Sequence, residues 1–116
     1  MDEVPPLTAD PPLLNVASSG GISVHQLVNS ASTRLAFKVR SSNNEHYRLK
    51  PVYGIIEPNA ATPIEVTRTA GPPKEDKLVI QFMEAPSGIA TTAETAQELF
   101  KNGNPMAELI LPMSAK

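Results

Sequence analysis

The chain has no cysteine, and its aromatic side chains number only five: Phe37, Phe82, Phe100, Tyr47 and Tyr53. Without thiols there can be no disulfide, no thiolate-bound structural zinc and no cysteine nucleophile, and the composition suits a reducing compartment. With so few rings, the core must rest on Val, Ile and Leu. No apolar run approaches the roughly 18 to 20 residues that a membrane helix needs, so no membrane insertion is expected. The opening residues, MDEVPPLTADPP, lack the basic start and apolar middle of a secretory signal. A soluble, cytoplasmic protein is the expectation. Nor is there an excess of positive charge: the formal net charge is -2 and the pI about 5.6. That balance argues against a nucleic-acid partner, which usually calls for a strongly basic domain.

What is abundant is proline, with 12 residues in a chain of 116. This is about twice the usual ~5% and, beside clear apolar alternation, it points to short strands and rigid corners. The length fits one domain with a single core. Residues 1–12 read as a loose arm and residues 13–116 as the domain, because the prolines of the arm cannot donate ladder bonds and its charges follow no regular period. Leu13 to Ala17 is expected as an edge strand. In Ile22 to Val28, apolar count favours Ile22, Val24 and Val28 as the buried face over Ser23, His25 and Leu27. Leu35, Phe37 and Val39 alternate with Arg34, Ala36, Lys38 and Arg40, the first set core and the second solvent. After the turn Ser41–Asn44, Tyr47 and Leu49 alternate with His46, Arg48 and Lys50. Val52 to Ile56 follows, with Gly54 marking a bend or a close backbone approach. Pro63 starts a strand carrying Ile64 and Val66, and Thr69 to Asp76 reads as a polar loop. The run from Lys77 to Met83 is nearly all apolar, as befits a central strand. The helical signal lies at Thr91 to Phe100, where Thr91 and Glu94 fit a capping box and Leu99 and Phe100 supply the packing side. Met106 to Leu111 reads as a last strand closed by Pro112. The sum is an all-β, antiparallel sandwich of about seven strands with one short helix near the C-terminus.

Between Asn29 and Pro58 lie Arg34, Lys38, Arg40, Arg48 and Lys50, half of the chain's ten Lys and Arg residues. On neighbouring strands these charges, with His46, can share a face that attracts an acidic peptide, or they can simply solvate a surface. Ser23 and His25 stand two residues apart. A hydrolytic reading of them needs an orienting acid and an oxyanion site in defined geometry. The two histidines are far apart and carry no metal-ligand spacing. Gly71-Pro72-Pro73-Lys74 cannot cradle a phosphate, since its prolines remove backbone donors. No cofactor and no enzymatic activity are expected.

The order NSASTRLAFKVRSSN, YRLKPVYGIIEP, GPPKEDKLVIQF resembles the major sperm protein domain family over nearly the whole chain after the N-terminal arm. The resemblance implies an immunoglobulin-like, seven-stranded antiparallel β-sandwich related to the chaperones of pilus assembly. It implies either of two activities: self-association of free-standing sperm proteins into cytoskeletal filaments, or capture of an acidic two-phenylalanine peptide on a basic face. A chain ending at Lys116 without coiled coil or membrane anchor matches the free-standing members, so protein partners are expected, either a second copy or acidic segments. Matched position by position, the peptide-binding face comprises Arg40, Ser41, Ser42 and Lys77, with Lys38 beside it. Val79 stands where peptide-binding relatives have a methionine, and Asn104 where they have a lysine. The relatives carry apolar residues at the place of His25, which implies an inward side chain there, against the face favoured by apolar count.

Overall fold

The computed structural model describes residues 6–86, 88–103, 105 and 107–116. Among these residues nine strands form two sheets packed face to face. Sheet A has the order β1 (Leu7–Asp10), β3 (Gly21–Asn29), β7 (Ala61–Arg68) and β5 (Tyr47–Lys50). Sheet B has the order β2 (Leu14–Val16), β9 (Ala107–Ala115), β8 (Lys74–Glu84), β4 (Leu35–Ser41) and β6 (Tyr53–Ile56), with helix α1 (Ala93–Asn102) between β8 and β9 in the chain. All pairings are antiparallel except that of β2 with β9. The antiparallel sandwich and the central place of β8 are as the apolar pattern requires, and the immunoglobulin-like fold is as the resemblance implies.

The core is mostly aliphatic, with three aromatic rings, Phe37, Tyr47 and Phe82, among its side chains. Leu35, Phe37 and Val39 of β4 meet Leu78, Ile80 and Phe82 of β8 on one side of the interior, and Leu7, Leu27, Tyr47, Ile64 and Val66 of sheet A close it from the other. Gly54 faces Phe37 across the β4–β6 ladder, and a Cβ at this position would lie 2.5 Å from Phe37 Cε2. The glycine therefore makes room for the largest side chain of β4, the close approach that its place in a strand suggests.

Several expectations are corrected. The loose arm contains a strand: Leu7 to Asp10 pairs with Gln26 to Asn29, and Leu7 is fully buried. The prolines flank this strand without interrupting it, so its ladder forms; the described residues carry nine strands with it, against about seven expected. In β3 the faces are the reverse of the apolar count: His25, Leu27 and Asn29 are buried, whereas Ile22 and Val24 are 66% and 51% exposed. Two of the three inward side chains are polar but fully hydrogen-bonded, which removes the penalty that a count of apolar residues assumes. The last strand runs through Pro112 to Ala115. Because β2 pairs only from Met113 onward, Pro112 lies where that flank is open and no ladder donor is lost. The polar loop is shorter than Thr69–Asp76, since β8 begins at Lys74.

Helix α1 packs on the outer face of sheet B. Ala36, predicted to face solvent, is fully buried there with Ala96 and Ala85, and Tyr53, Ile55, Met83, Leu99 and Phe100 pack around them. Small side chains let the helix sit close to the sheet, and Phe100 meets Tyr53 at 6.2 Å between ring centroids. The N-cap is Thr92, one residue later than the capping-box reading, and its hydroxyl accepts from the Thr95 amide at 3.2 Å.

Candidate functional site

Strand alternation on β4, β8 and β9 leaves one part of sheet B's outer face uncovered by helix α1. The register places Arg40, Val79 and Ile110 in one cross-strand row. Lys38, Gln81 and Glu108 form the next row towards the helix, with Tyr53 of β6 beside Lys38. On the other side Lys77 lies beside Pro112, and its carbonyl accepts from the Ser42 amide at 3.0 Å. The result is a shallow concavity of about 320 Å³ lined by Arg40, Ser41, Ser42, Lys77, Val79, Glu108 and Ile110. Five of the six candidate binding residues thus line one depression. The sixth, Lys38, stands two residues from Arg40 on the same outward face, its Nζ 5.7 Å from the centre of the Tyr53 ring. Asn104 lies outside the described residues.

The two serines do different work from the cations. Ser42 Oγ donates to Asp76 Oδ1 at 2.9 Å and accepts from the Lys77 amide at 3.0 Å. Asn43 Nδ2 reaches Asp76 Oδ2 at 3.1 Å, and the Lys74 ammonium lies 3.8 Å from the same carboxylate. Ser41 Oγ accepts from the Asn43 amide at 3.0 Å, and Asn43 Oδ1 accepts from the amides of Glu45 and His46. The serines and Asn43 therefore pin the turn after β4 to β8, fixing where Arg40 and Lys77 stand. Among the described residues neither Arg40, Lys77, Lys38 nor Glu108 is in an ion pair; the pairs are Arg34 with Glu57 and Lys74 with Asp76. Cations that no carboxylate neutralises attract an acidic segment more strongly.

The wider basic stretch gathers only in part: Arg48 shares with Lys38 and Arg40 a second depression of about 520 Å³ beside the first. Arg34 is bound into an ion pair with Glu57 at 2.8 Å and donates to the Ile89 carbonyl at 3.1 Å, so it secures a loop. Arg48 and Lys50 stand on edge strand β5 of the other sheet, opposite Thr67 and Glu65. His46 packs against Gly71, where a Cβ would come within 2.6 Å of its ring. Alternation in sequence identified the outward residues but carried no record of which sheet each strand would join.

Ser23 and His25 do meet. Ser23 Oγ lies 2.8 Å from His25 Nε2, and His25 Nδ1 lies 2.9 Å from the Pro11 carbonyl oxygen. A carbonyl can only accept, so Nδ1 carries the proton and Nε2 accepts from the serine. The group that orients the imidazole is thus a neutral acceptor in place of the carboxylate that a triad uses to stabilise imidazolium. His25 is fully buried, and its bonds fasten the segment after β1 onto β3.

Sequence reasoning passed over Glu108, Ile110 and Asp76, because only the β8–β9 and β4–β8 registers bring them to the site. It also passed over Arg68, which is 2% exposed. The Arg68 guanidinium lies 5.2 Å from the centre of the Tyr47 ring and donates through Nη2 to the Pro72 carbonyl at 2.7 Å. Among the described residues its Nε and Nη1 and the Tyr47 hydroxyl have no hydrogen-bond partner.

Comparison with known proteins places this geometry in context. A family model described as the MSP (major sperm protein) domain matches residues 6–105. The chain is 47% identical over 109 residues to sperm-specific class P protein 16 of Caenorhabditis elegans, covering 94% of this chain and 96% of that protein. Among solved structures it is similar to SSP-19, titled an MSP-domain protein like family member of Caenorhabditis elegans. The TM-score is 0.88 at 44% identity, over 95% of this chain and 99% of that one. The Escherichia coli chaperone DraB shares the fold alone, with a TM-score of 0.62 at 8% identity over 95% of this chain and 54% of that one.

Proposed function

From its place in the major sperm protein domain family, to which the chain belongs, we propose that it is a non-enzymatic protein-interaction component of the cytoplasm of nematode sperm. Its working surface is the open face of sheet B, and the partner presents an acidic segment there. One observation carries the reading: Arg40 and Lys77, neither in an ion pair among the described residues, flank the apolar Val79 and the 46% exposed Ile110 on one outward face. Such a surface has the parts that peptide recognition uses, cations to draw in carboxylates and an apolar floor to bury one side chain.

The chemistry on hand supports binding over turnover. The Ser23–His25 pair lacks an orienting carboxylate, and among the described residues no group of three His, Cys, Asp or Glu side chains is placed to hold a metal ion. No helix among those residues is long and apolar enough to cross a membrane.

Calorimetric titration with an acidic peptide containing two phenylalanines tests the proposal. The wild type is expected to bind, and the double variant Arg40→Glu, Lys77→Asp to lose at least about tenfold, since each removed cation becomes a like charge. Equal binding by both proteins removes the face from consideration.

Self-assembly into a cytoskeletal polymer is a second reading, favoured by the exposed Ile22 and Val24 on the outer face of sheet A. Paired exposed aliphatics on one face of a strand are a natural contact for another copy. Sedimentation across a concentration series decides it: a chain that stays monomeric at millimolar concentration is no filament subunit.

A further inference from the structure

We propose that the open face of sheet B selects an extended segment in which an acidic and a basic side chain flank an aliphatic one, two residues to either side, with Glu108 as the residue that selects the base. This rests on the reading of that face as a peptide-binding surface and goes further by naming the ligand's charge pattern.

The register supplies the layout. Arg40 and Lys77 form a positive corner, on β4 and at the near end of β8. Val79 and Ile110 form the middle. Glu108 stands at the opposite corner, on β9, one row nearer the helix than Ile110. Neighbouring strands lie about 4.8 Å apart and successive residues of one face about 6.8 Å along a strand, so the Cα atoms of Arg40 and Glu108 are separated by about 12 Å. An extended peptide presents residues i, i+2 and i+4 on one side over about 13 Å. The three features therefore match three consecutive same-side positions: a carboxylate over Arg40 and Lys77, an aliphatic group over Val79 and Ile110, and a cation over Glu108.

Glu108 is set up for this part. Gln81 Nε2 donates to its Oε2 at 3.0 Å, which orients the carboxylate. Its other oxygen takes no side-chain hydrogen bond and no cation pairs with it among the described residues. Lys38 shares its row but stands two strands away, on the far side of Gln81. A segment acidic throughout would set its trailing carboxylate against Glu108, and opposed like charges at an interface suppress the wrong partner. The pocket floor adds a size preference. Val79 and Ile110 are branched aliphatics that leave a shallow surface, which suits Leu, Ile or Val better than a ring needing a deep slot.

Fluorescence anisotropy at low salt with two labelled peptides, Asp-Ser-Leu-Ser-Lys and Asp-Ser-Leu-Ser-Glu in identical neutral flanks, tests the inference. The wild type should prefer the lysine peptide by roughly three- to tenfold, because the exchange of lysine for glutamate replaces a solvent-screened attraction by a repulsion of similar size. Glu108→Gln should bring the two affinities together, and Glu108→Lys should invert the order. Equal affinities in the wild type, or an order unchanged by Glu108→Lys, overturns the proposal. If the wild type binds neither peptide but does bind the acidic two-phenylalanine peptide through Arg40 and Lys77, the charge pattern is wrong and the binding face stands. If it binds none of the three, both fall. Circular dichroism melts of the Glu108 variants control for folding, which this exposed site should not disturb.

Discussion

Asn29 is fully buried at the end of β3, and its side chain ties the two sheets together. Nδ2 donates to the carbonyls of Thr33 at 2.9 Å, Ile56 at 3.0 Å and Glu57 at 3.2 Å, while Oδ1 accepts from the Ala31 amide at 2.9 Å. The Ile56 carbonyl belongs to β6 of sheet B, so the amide spans the sandwich. Two N–H groups serve three acceptors and one acceptor serves the loop, which amounts to about three net hydrogen bonds. At roughly 1 kcal/mol each, Asn29→Ala should cost about 3 kcal/mol, or about 10–15 °C in Tm for a domain of this size. Asn29→Asp should be worse at neutral pH, although it keeps the shape and the acceptor, because a carboxylate would face three carbonyl oxygens. Burial and those oxygens raise the folded-state pKa of the new carboxyl above its unfolded value of about 3.9. The sign follows: below the unfolded pKa the group is protonated in both states, and the deficit relative to wild type grows as pH rises through that value. Urea melts of the three proteins at several pH values measure this. An Asn29→Ala protein within 1 kcal/mol of wild type, or an Asn29→Asp deficit independent of pH, would refute the assignment of Asn29 as a clasp between sheets.

Two further stability predictions follow from the polar groups around the site and core. Ser42→Ala removes the hydroxyl that links Asp76 to the Lys77 amide; it should cost about 1 kcal/mol in chemical melts and weaken peptide binding through misplacement of Lys77. Arg68→Met should be neutral or stabilising, whereas Arg68→Ala should cost about 2–4 kcal/mol. The methionine keeps the packing on Tyr47 while removing a buried charge that no carboxylate pairs among the described residues, and the alanine leaves a void. A destabilised Arg68→Met protein would mean that the guanidinium earns its place through a partner such as internal water.

The strands of the domain were legible where a strand shows one apolar face, as in Leu35, Phe37 and Val39 or Leu78, Ile80 and Phe82. They were misread where polar residues turn inward. His25 and Asn29 are satisfied by the Pro11 carbonyl, by Ser23 and by loop carbonyls, partners that lie far away in the chain or outside the alternating pattern. Ala36 was misread for a complementary reason, since the helix that covers it comes some sixty residues later. Arg40, Ser41, Ser42, Lys77 and Val79 were found through family resemblance and meet in one concavity. Glu108 and Ile110 were not found, because β9 reaches the site through a cross-strand register that no local pattern encodes. The charge that most distinguishes this face from a uniformly basic one was therefore hidden until the sheet was assembled.

The central claim is that the outer face of sheet B, at Arg40 and Lys77, is where this domain meets its partner. Amide chemical-shift mapping during titration with the acidic two-phenylalanine peptide tests it most directly. The account predicts that the shifted resonances cluster at Arg40–Ser42, Lys77–Gln81 and Glu108–Ile110 and saturate with one affinity. Shifts confined to Ile22, Val24 and their neighbours on sheet A, or no shifts at millimolar peptide, would contradict it.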